Sequence, residues 1–157
     1  MPNKDAGVAV KRKRKAAGDA AFGLLLRDFF RAVRAAMEET LRPTGFTPPQ
    51  SMVLMAVAGE PGITGAELAR RAIITPQTMG ELLTGLEKTG LIRRERHPDN
   101  ARMQAIFLTE VGVKAQIACG AHMQKVADRM LTPMSAAERK SFGRLLARAT
   151  EGMRKQS

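Results

Sequence analysis

Apolar residues recur at three- and four-residue steps along much of the chain, and this spacing predicts a mainly helical protein. The first helix is predicted to begin at Asp19, acting as N-cap, and to end near residue 42. Its apolar stripe consists of Phe22, Leu26, Phe29, Val33, Met37 and Leu41. Pro43 and Gly45 follow the stripe and disfavour any continuation of the helix.

Two shorter helices are predicted next, each opened by a threonine. Thr47 precedes two prolines, which suit the first turn of a helix that ends near Gly59. Residues 64–67, Thr-Gly-Ala-Glu, have the pattern of a capping box and predict a third helix that ends near Ala72.

Thr75 and Pro76 open the fourth predicted helix, which Gly90 ends. One face of this helix is apolar and carries Met79, Leu82, Leu83 and Leu86. Gln77, Thr78, Glu81 and Thr84 are left on the exposed side, with Thr75 at the tip. Together with the preceding short helix, this arrangement is typical of a helix-turn-helix.

A β-hairpin is predicted after Gly90, because residues 91–95 and 103–108 partly alternate in polarity. The intervening segment, RHPDNAR, contains a Pro-Asp-Asn turn signal. A recognition helix followed by such a wing is suited to duplex DNA. The helix can enter the major groove, and the loop can present an arginine to the backbone or minor groove.

Two further helices complete the pattern. One is predicted from Thr109 to about Leu131, and the last is opened by a capping box formed by Ser135 and Glu138. The last helix carries the apolar residues Phe142, Leu145, Leu146 and Ala149. The predicted fold is therefore mainly α with a small antiparallel β-wing, a winged helix-turn-helix flanked by long N- and C-terminal helices.

Charge favours a polyanionic partner. The net charge is +11, and residues 1–18 contribute +5 of it, so the remainder of the chain is also basic. We expect residues 1–18 to be a disordered basic tail that either tracks DNA phosphates or only keeps the protein soluble. Without Trp or Tyr, base stacking on single strands is poorly provided for, and duplex DNA is favoured.

Other function classes find little support in the sequence. Paired acid and base residues, a glycine-rich phosphate loop and a cluster of metal ligands are missing, so we expect neither an enzyme nor a cofactor or metal site. His97 and His122 are isolated, and Cys119 is the only cysteine. With no secretory signal or apolar run of membrane-spanning length, we expect a cytoplasmic protein without a membrane partner.

The order of these motifs resembles that of the MarR family of bacterial transcription regulators. Five segments carry the resemblance, namely residues 46–50, 65–69, 75–78, 86–92 and 108–112. Each is weak alone, but all five occur in the family's order, and the resemblance extends over about residues 20–155. It implies a sequence-specific, double-stranded DNA-binding regulator, a homodimeric repressor that recognises a pseudo-palindromic operator.

The resemblance also implies how the chain is divided. Residues 19–157 form a single domain, with a winged helix-turn-helix core at about 46–109 and dimerisation helices at about 19–42 and 110–155. The apolar stripes of the terminal helices independently favour interlocking of two subunits. The alternative is that the stripes pack only within one chain.

The exposed side of the fourth helix supplies the expected base contacts. Gln can bind adenine in a bidentate way, and Thr can meet a thymine methyl group, so Thr75, Gln77 and Thr78 are candidates. Glu81 can accept from cytosine N4 or form a surface pair, and Thr84 lies on the same side. Where many family members have small polar residues and arginines, this chain has Gly80, Glu81 and Gly85.

In the wing, the family usually pairs an Asp with an Arg that enters the minor groove, and Asp99 and Arg102 match this pattern. By this resemblance Asp99 orients Arg102, while the alternative is a solvated ion pair that contributes little. Arg96 and Asn100 are further candidate DNA contacts. The positive charge that the recognition helix lacks is thus expected in the wing.

The family also implies a small aromatic or anionic effector that binds between the dimerisation helices and the winged core. By analogy, Phe29, Phe30, Phe46, Met52 and Met55 line its pocket. For residues of these types, ordinary core packing is the more common role at each position. Two other functions remain open, a ligand-independent architectural DNA-binding protein and a winged-helix module for protein–protein assembly.

Overall fold

A computed structural model describes the backbone of residues 4–97 and 100–154, and the side chains of residues 21–97, 100 and 103–153. The helices and the two-stranded sheet follow one another along the chain in the predicted order. The elements are α1 (Lys4–Leu41), a short 3₁₀ helix (Arg42–Thr44), α2 (Pro48–Gly59), α3 (Gly65–Ala72), α4 (Pro76–Lys88), β1 (Ile92–His97), β2 (Asn100–Leu108), α5 (Glu110–Leu131) and α6 (Ala136–Arg154).

The first helix corrects two expectations, since it begins at Lys4 and not at Asp19. Residues 4–18, which we expected to be disordered, are therefore helical, while residues 1–3 lie outside the described residues. No proline interrupts residues 4–41, and Ala, Lys and Arg have high helix propensity. Extending an existing helix also costs far less than nucleating a new one.

Threonine hydroxyls cap four of the helices as predicted. The side chains of Thr47, Thr64, Thr75 and Thr109 accept hydrogen bonds from the backbone N–H three residues on. The reciprocal bond of a capping box forms at Thr47, where the Gln50 side chain accepts from the Thr47 N–H at 2.9 Å. Ser135 and Glu138 close the second predicted box.

One predicted box is only half present. Thr64 accepts from the Glu67 N–H at 3.3 Å, but hydrogen bonds from Arg70 and Arg71 engage the Glu67 carboxylate. These hydrogen bonds, with that from Arg70 the stronger influence, hold the pKa of Glu67 below its ordinary value. The guanidinium groups compete for the carboxylate better than a neutral backbone N–H does.

The core forms where α2, α4 and α5 meet the base of the sheet. Its fully buried side chains include Val53 and Leu54 of α2, Met79 and Leu86 of α4, and Cys119 of α5. The sheet is anchored to the helix-turn-helix by backbone bonds, which are donated by the Gly62 N–H to Ile106 and by the Ile106 N–H to Ile63. The wing therefore extends from the same core as the helices.

Both strands are longer than predicted. Arg96 lies in β1, and Asn100 and Arg102 lie in β2, although we expected all three in the loop. Arg96 is paired with Gln104 and His97 with Asn100, so residues 101–103 have no opposing residues in β1. This bulge follows from the extra residues on one strand and gives the end of the wing a local bend.

The start of α5 is held against the end of the helix-turn-helix unit. The Thr109 hydroxyl donates to the Gly90 carbonyl at 2.5 Å, and the Thr109 N–H donates to the Leu91 carbonyl at 3.1 Å. Gly112 lies one turn further along, directly over the Leu91 carbonyl, where a Cβ atom would overlap the oxygen. Gly90 itself has a φ of 71°, which favours glycine.

Large apolar side chains remain exposed on the terminal helices. Phe22, Leu25 and Phe30 of α1 and Leu145 and Leu146 of α6 are all at least half exposed. A groove of about 730 Å³ runs between α1, α5 and α6 and is lined almost wholly by such residues. The predicted stripe of α1 is thus buried at Leu41 but exposed at Phe22 and Leu26, so packing within the described part of one chain covers the apolar surface of the terminal helices only in part.

Gly112→Ala should lower the free energy of unfolding by about 3 kcal/mol, because the added methyl group forces α5 away from the Leu91 carbonyl. Urea unfolding at a fixed protein concentration measures this change. Gly85→Ala is the matched control. It lies in α4 with open space around it, and should raise the stability by about 1 kcal/mol. Equal effects of the two substitutions would contradict the close approach.

Candidate nucleic-acid interface

The N-terminus of α4 presents an exposed polar tip. Thr75 caps the helix by accepting from the Thr78 N–H at 3.1 Å, and the two hydroxyl groups are 2.8 Å apart and hydrogen-bonded. Pro76 occupies the first turn and needs no hydrogen-bond acceptor. Both threonines are exposed, at the end of the helix where the dipole is positive and anions are favoured.

Gln77 and Glu81 lie one turn apart on the exposed face of α4. The Gln77 amide donates to the Glu81 carboxylate at 3.4 Å, a long bond that orients the amide and leaves its oxygen outward. Both side chains are exposed. The carboxylate is a hydrogen-bond acceptor for base edges and at the same time repels phosphates.

Thr84 faces the wing, whereas Gln77 lies on the exposed face of α4. Its hydroxyl donates to the Gly80 carbonyl at 2.8 Å and accepts from Arg94 at 3.1 Å. The hydroxyl proton and one lone pair are therefore used within the protein. The structure places Thr84 in the contact between α4 and β1, which does not favour the predicted direct contact with DNA.

The turn between α3 and α4 contains an unusual residue. Ile73 has a φ of 54°, a left-handed conformation that β-branched residues rarely adopt, and its side chain is 92% exposed. Its N–H bonds to the Arg70 carbonyl and that of Ile74 to the Ala69 carbonyl, which closes α3. This turn sets the direction in which the tip of α4 points.

The arginines of β1 separate onto the two faces of the wing, since side chains alternate along a strand. Arg94 and Arg96 share the face that begins at buried Ile92 and that borders α4. Arg93 lies on the other face, where it forms an ion pair with Glu95 and stacks on the Phe107 ring at 4.8 Å. The arginines of β1 therefore form two separate groups.

The wing residues expected to contact DNA are partly described. Arg96 and Asn100 are exposed near the end of the hairpin. The backbone of Arg102 lies in the β2 bulge. Asp99 and the Arg102 side chain lie outside the described residues, so their expected pairing remains a prediction.

A groove of about 660 Å³ separates the wing from the helix-turn-helix. Its walls come from the start of α3, the first turns of α4 and the outer parts of both strands. Pro76, Gly80, Arg94, Arg96 and Met103 are among the residues that line it. The recognition helix and the wing thus form two sides of one groove, whose lining is partly polar and partly apolar.

Residues that the sequence did not single out connect these two sides. Arg94 forms an ion pair with Glu87 of α4, with 3.1 Å between Arg94 Nε and Glu87 Oε2. Sequence alternation contained a signal for this contact, because Arg94 lies two residues after buried Ile92 and so shares its face.

The five residues proposed for the effector pocket fall into two groups. Phe29 packs against Phe30 and against Phe142 of α6, at centroid distances of 6.2 and 6.4 Å. Met55 lies against α5, where Gln116 Nε2 is 3.1 Å from its sulfur. Phe46 packs against the core, and Met52 is partly exposed. The described contacts do not join the α1 group to the α2 group.

The cysteine and the two histidines are the remaining residues considered for chemistry. Cys119 is fully buried, and burial raises the pKa of its thiol, although the Ser51 and Thr44 hydroxyls partly offset this effect. Within residues 4–97 and 100–154, acidic, His and Cys side chains do not gather into a metal-binding group of three. The helices within these ranges also include none long and apolar enough to cross a membrane.

Comparison with known proteins agrees with this geometry. Residues 44–103 match the model of the MarR family. The chain is 32% identical over 130 residues to the HTH-type transcriptional repressor Rv2887 of Mycobacterium tuberculosis, covering 83% of this chain and 94% of that protein. It is also 32% identical over 121 residues to the transcriptional regulator HosA of Escherichia coli, covering 77% and 88% respectively.

Solved structures show the same similarity in three dimensions. The crystal structure of Rv2887 in complex with DNA superimposes with a TM-score of 0.68 at 29% identity, covering 81% of this chain and 95% of that one. The complex of Rv2887 with salicylic acid gives a TM-score of 0.68 at 30% identity, covering 81% and 94%. With its fold, its motifs and these relatives in agreement, the chain belongs to the MarR family of winged helix-turn-helix transcriptional regulators.

Proposed function

We propose that this chain is a homodimeric, sequence-specific repressor whose affinity for its operator is modulated by a small aromatic or anionic ligand. The observation that carries the proposal is the exposed polar tip of α4, which adjoins a groove that α4 forms with the wing. A helix of this kind fits the major groove, while a two-stranded ribbon reaches the adjacent backbone or minor groove. The similarity to a repressor crystallised with DNA supports the same use here.

A homodimer accounts for the exposed apolar faces of the terminal helices. The groove between α1, α5 and α6 is far more apolar than the surface of a typical monomer, and a second copy would bury it. Two-fold symmetry then places two α4 helices on one side of the assembly. The operator of such a dimer is a pseudo-palindrome whose half-sites lie about one helical turn apart.

Contacts to the operator are divided between helix and wing. Thr75 and Thr78 would contact phosphates at the tip of α4, while Gln77 and Glu81 would contact base edges. In the wing, Arg96 and Asn100 would contact the backbone, and Arg102, oriented by Asp99, would enter the minor groove.

The effector would act through the spacing of the two DNA-binding units. A ligand that prefers a dimer whose α4 helices mismatch the half-sites lowers the affinity for the operator by its differential binding free energy. We retain Phe29, Phe30, Phe46, Met52 and Met55 as proposed lining residues. In a dimer, the two groups of residues could be completed by residues of the second copy. The complex of the relative Rv2887 with salicylic acid supports an aromatic carboxylate as the first compound to test.

We further propose that the protein acts in the cytoplasm, is associated with the nucleoid when bound to DNA, and has no catalytic activity. Its relatives are transcriptional regulators, and a regulator of this kind needs only to bind.

Selection of bound duplexes from a random pool tests the proposal directly. The full-length protein should enrich an inverted repeat with half-sites about one helical turn apart. Enrichment of no motif would favour a protein–protein module or an architectural protein. The recovered duplex is then titrated with salicylate and a benzoate series, with acetate as the non-aromatic control. An unchanged operator affinity throughout would leave a repressor without such an effector.

Arg102→Ala should weaken operator binding about tenfold and reduce the slope of log affinity against log salt by about 0.9, because one phosphate-neutralising charge is lost. Fluorescence anisotropy at several salt concentrations measures both quantities. Lys140→Ala, an exposed cation on α6, removes the same charge far from the wing and is the control. An unchanged salt slope in Arg102→Ala would refute the wing contact.

Glu81→Gln should raise the affinity for random duplexes about fivefold, because a carboxylate that repels phosphates becomes neutral. Discrimination at the base pair that faces Glu81 should fall by about tenfold, since an amide no longer selects the cytosine amino group. Binding to operators with single-base changes measures this preference. Glu38→Gln, a carboxylate paired with Arg34 on α1, is the charge control. Retained discrimination would leave Glu81 as a surface residue.

A further inference from the structure

Arg94 links three elements of the DNA-binding unit. From β1 its guanidinium pairs with Glu87 of α4 and donates to the Thr84 hydroxyl of the same helix, at 3.1 Å in each case. A longer hydrogen bond of 3.4 Å reaches the Gln104 side chain of β2. One side chain thus bridges the recognition helix and both strands of the wing.

Burial distinguishes this ion pair from the others. The Arg94 side chain is 20% exposed, whereas the arginines of the other ion pairs between described residues are all close to half exposed or more. A partly desolvated pair is screened less by water and salt than a surface pair. The guanidinium is also held in direction, because Nη2 donates to the Thr84 hydroxyl and Nη1 to the Gln104 side chain, while Nε approaches Glu87 as an ion pair without a hydrogen bond.

The position of the contact gives it a mechanical role. A two-stranded ribbon has little stability of its own, and up to the level of Arg94 and Glu95 the wing is held by buried Ile92, Ile106 and Ala105. Beyond this level the strands extend past the core towards Arg96 and the hairpin end. Thr84 and Glu87 lie one turn apart on α4, so the guanidinium contacts the helix at two points and resists rotation of the strand.

We propose that Arg94 is a positioning residue that, through Glu87 and Thr84, holds the wing in a fixed orientation relative to the recognition helix. This inference rests on the proposed function of the chain as a sequence-specific DNA-binding protein. Binding to an operator requires this orientation, because the recognition helix and the wing must contact their sites simultaneously. A random duplex, bound through phosphates alone, does not require it.

Glu87→Gln separates a positioning role from a purely electrostatic one, because the two predict opposite changes in the affinity for the operator. Removing a negative charge should by itself strengthen binding to any duplex. Loss of the Arg94 pair should instead weaken binding to the selected operator about three- to tenfold, with random-duplex affinity unchanged or raised. The ratio of the two affinities, measured by anisotropy on full-length protein, is the decisive quantity. Glu38→Gln should leave this ratio unchanged.

Arg94→Lys distinguishes positioning from direct phosphate contact. Lysine keeps the charge but not the fork, so a phosphate contact would survive the change, while the orientation of the wing would not. We expect a loss in operator affinity similar to that of Glu87→Gln. In the double variant the losses should not add, because both substitutions break the same contact. Additive losses, or a Glu87→Gln variant that binds its operator more tightly, would overturn the proposal.

Hydrogen exchange of the free protein tests the link without DNA. Backbone amides of β1 and β2 beyond Arg94 should exchange about tenfold faster in Glu87→Gln, while those of α2 should not change. If wild-type protein selects no motif, the proposed function fails, and the exchange rates still decide whether the link exists. If wild-type protein selects a motif but the variant keeps both its affinity ratio and its exchange rates, the positioning role fails alone.

Discussion

The carbonyl groups of Gly90 and Leu91 determine how the two halves of this protein are joined. They accept hydrogen bonds from Thr109, and Gly112 allows α5 to pass directly over the second of them. Gly90 ends the recognition helix, and Leu91 precedes the first strand of the wing. Because α5 also packs against α1 and α2, it connects the long helices to both the recognition helix and the wing.

The boundaries that the sequence predicted well are those with a local chemical cause. Helix caps are one example, since Thr47, Thr75 and Thr109 each precede a stretch of helical apolar periodicity and each caps the helix that follows. Gly90 ends α4 because it tolerates a positive φ. Local sequence patterns predicted the boundary of a helix less well where that boundary depends on the rest of the helix. The start of α1 at Lys4 reflects extension of a helix that is already formed. A possible capping residue at Asp19 does not reveal that the helix continues towards the N-terminus.

The site was predictable to a similar extent. The tip of α4 follows from its cap and its apolar face, so Thr75, Gln77 and Thr78 could be identified as exposed. Contact of Thr84 with DNA stays a prediction, but helical periodicity does not show that a strand ten residues later places Arg94 against its hydroxyl. The role of Glu87 was missed for the same reason, since both partners look like ordinary surface charges in the sequence.

Local neutralisation makes the electrostatic field of the DNA-binding unit weaker than its arginine content implies. Arg70 and Arg71 are engaged by Glu67, Arg93 by Glu95, and Arg94 by Glu87. Much of the positive charge therefore serves to fix the geometry of the unit. Such a surface depends on a few correctly placed groups more than on general attraction to phosphates.

Burial of the single thiol has a practical consequence for following the movements of this protein. Cys119 is inaccessible in the core, and its raised pKa keeps it protonated and unreactive at neutral pH. A cysteine introduced on the exposed surface would therefore be the only thiol to react in the folded state. The natural sequence thus provides, without further mutation, a background for attaching a spectroscopic label to the wing or to a terminal helix.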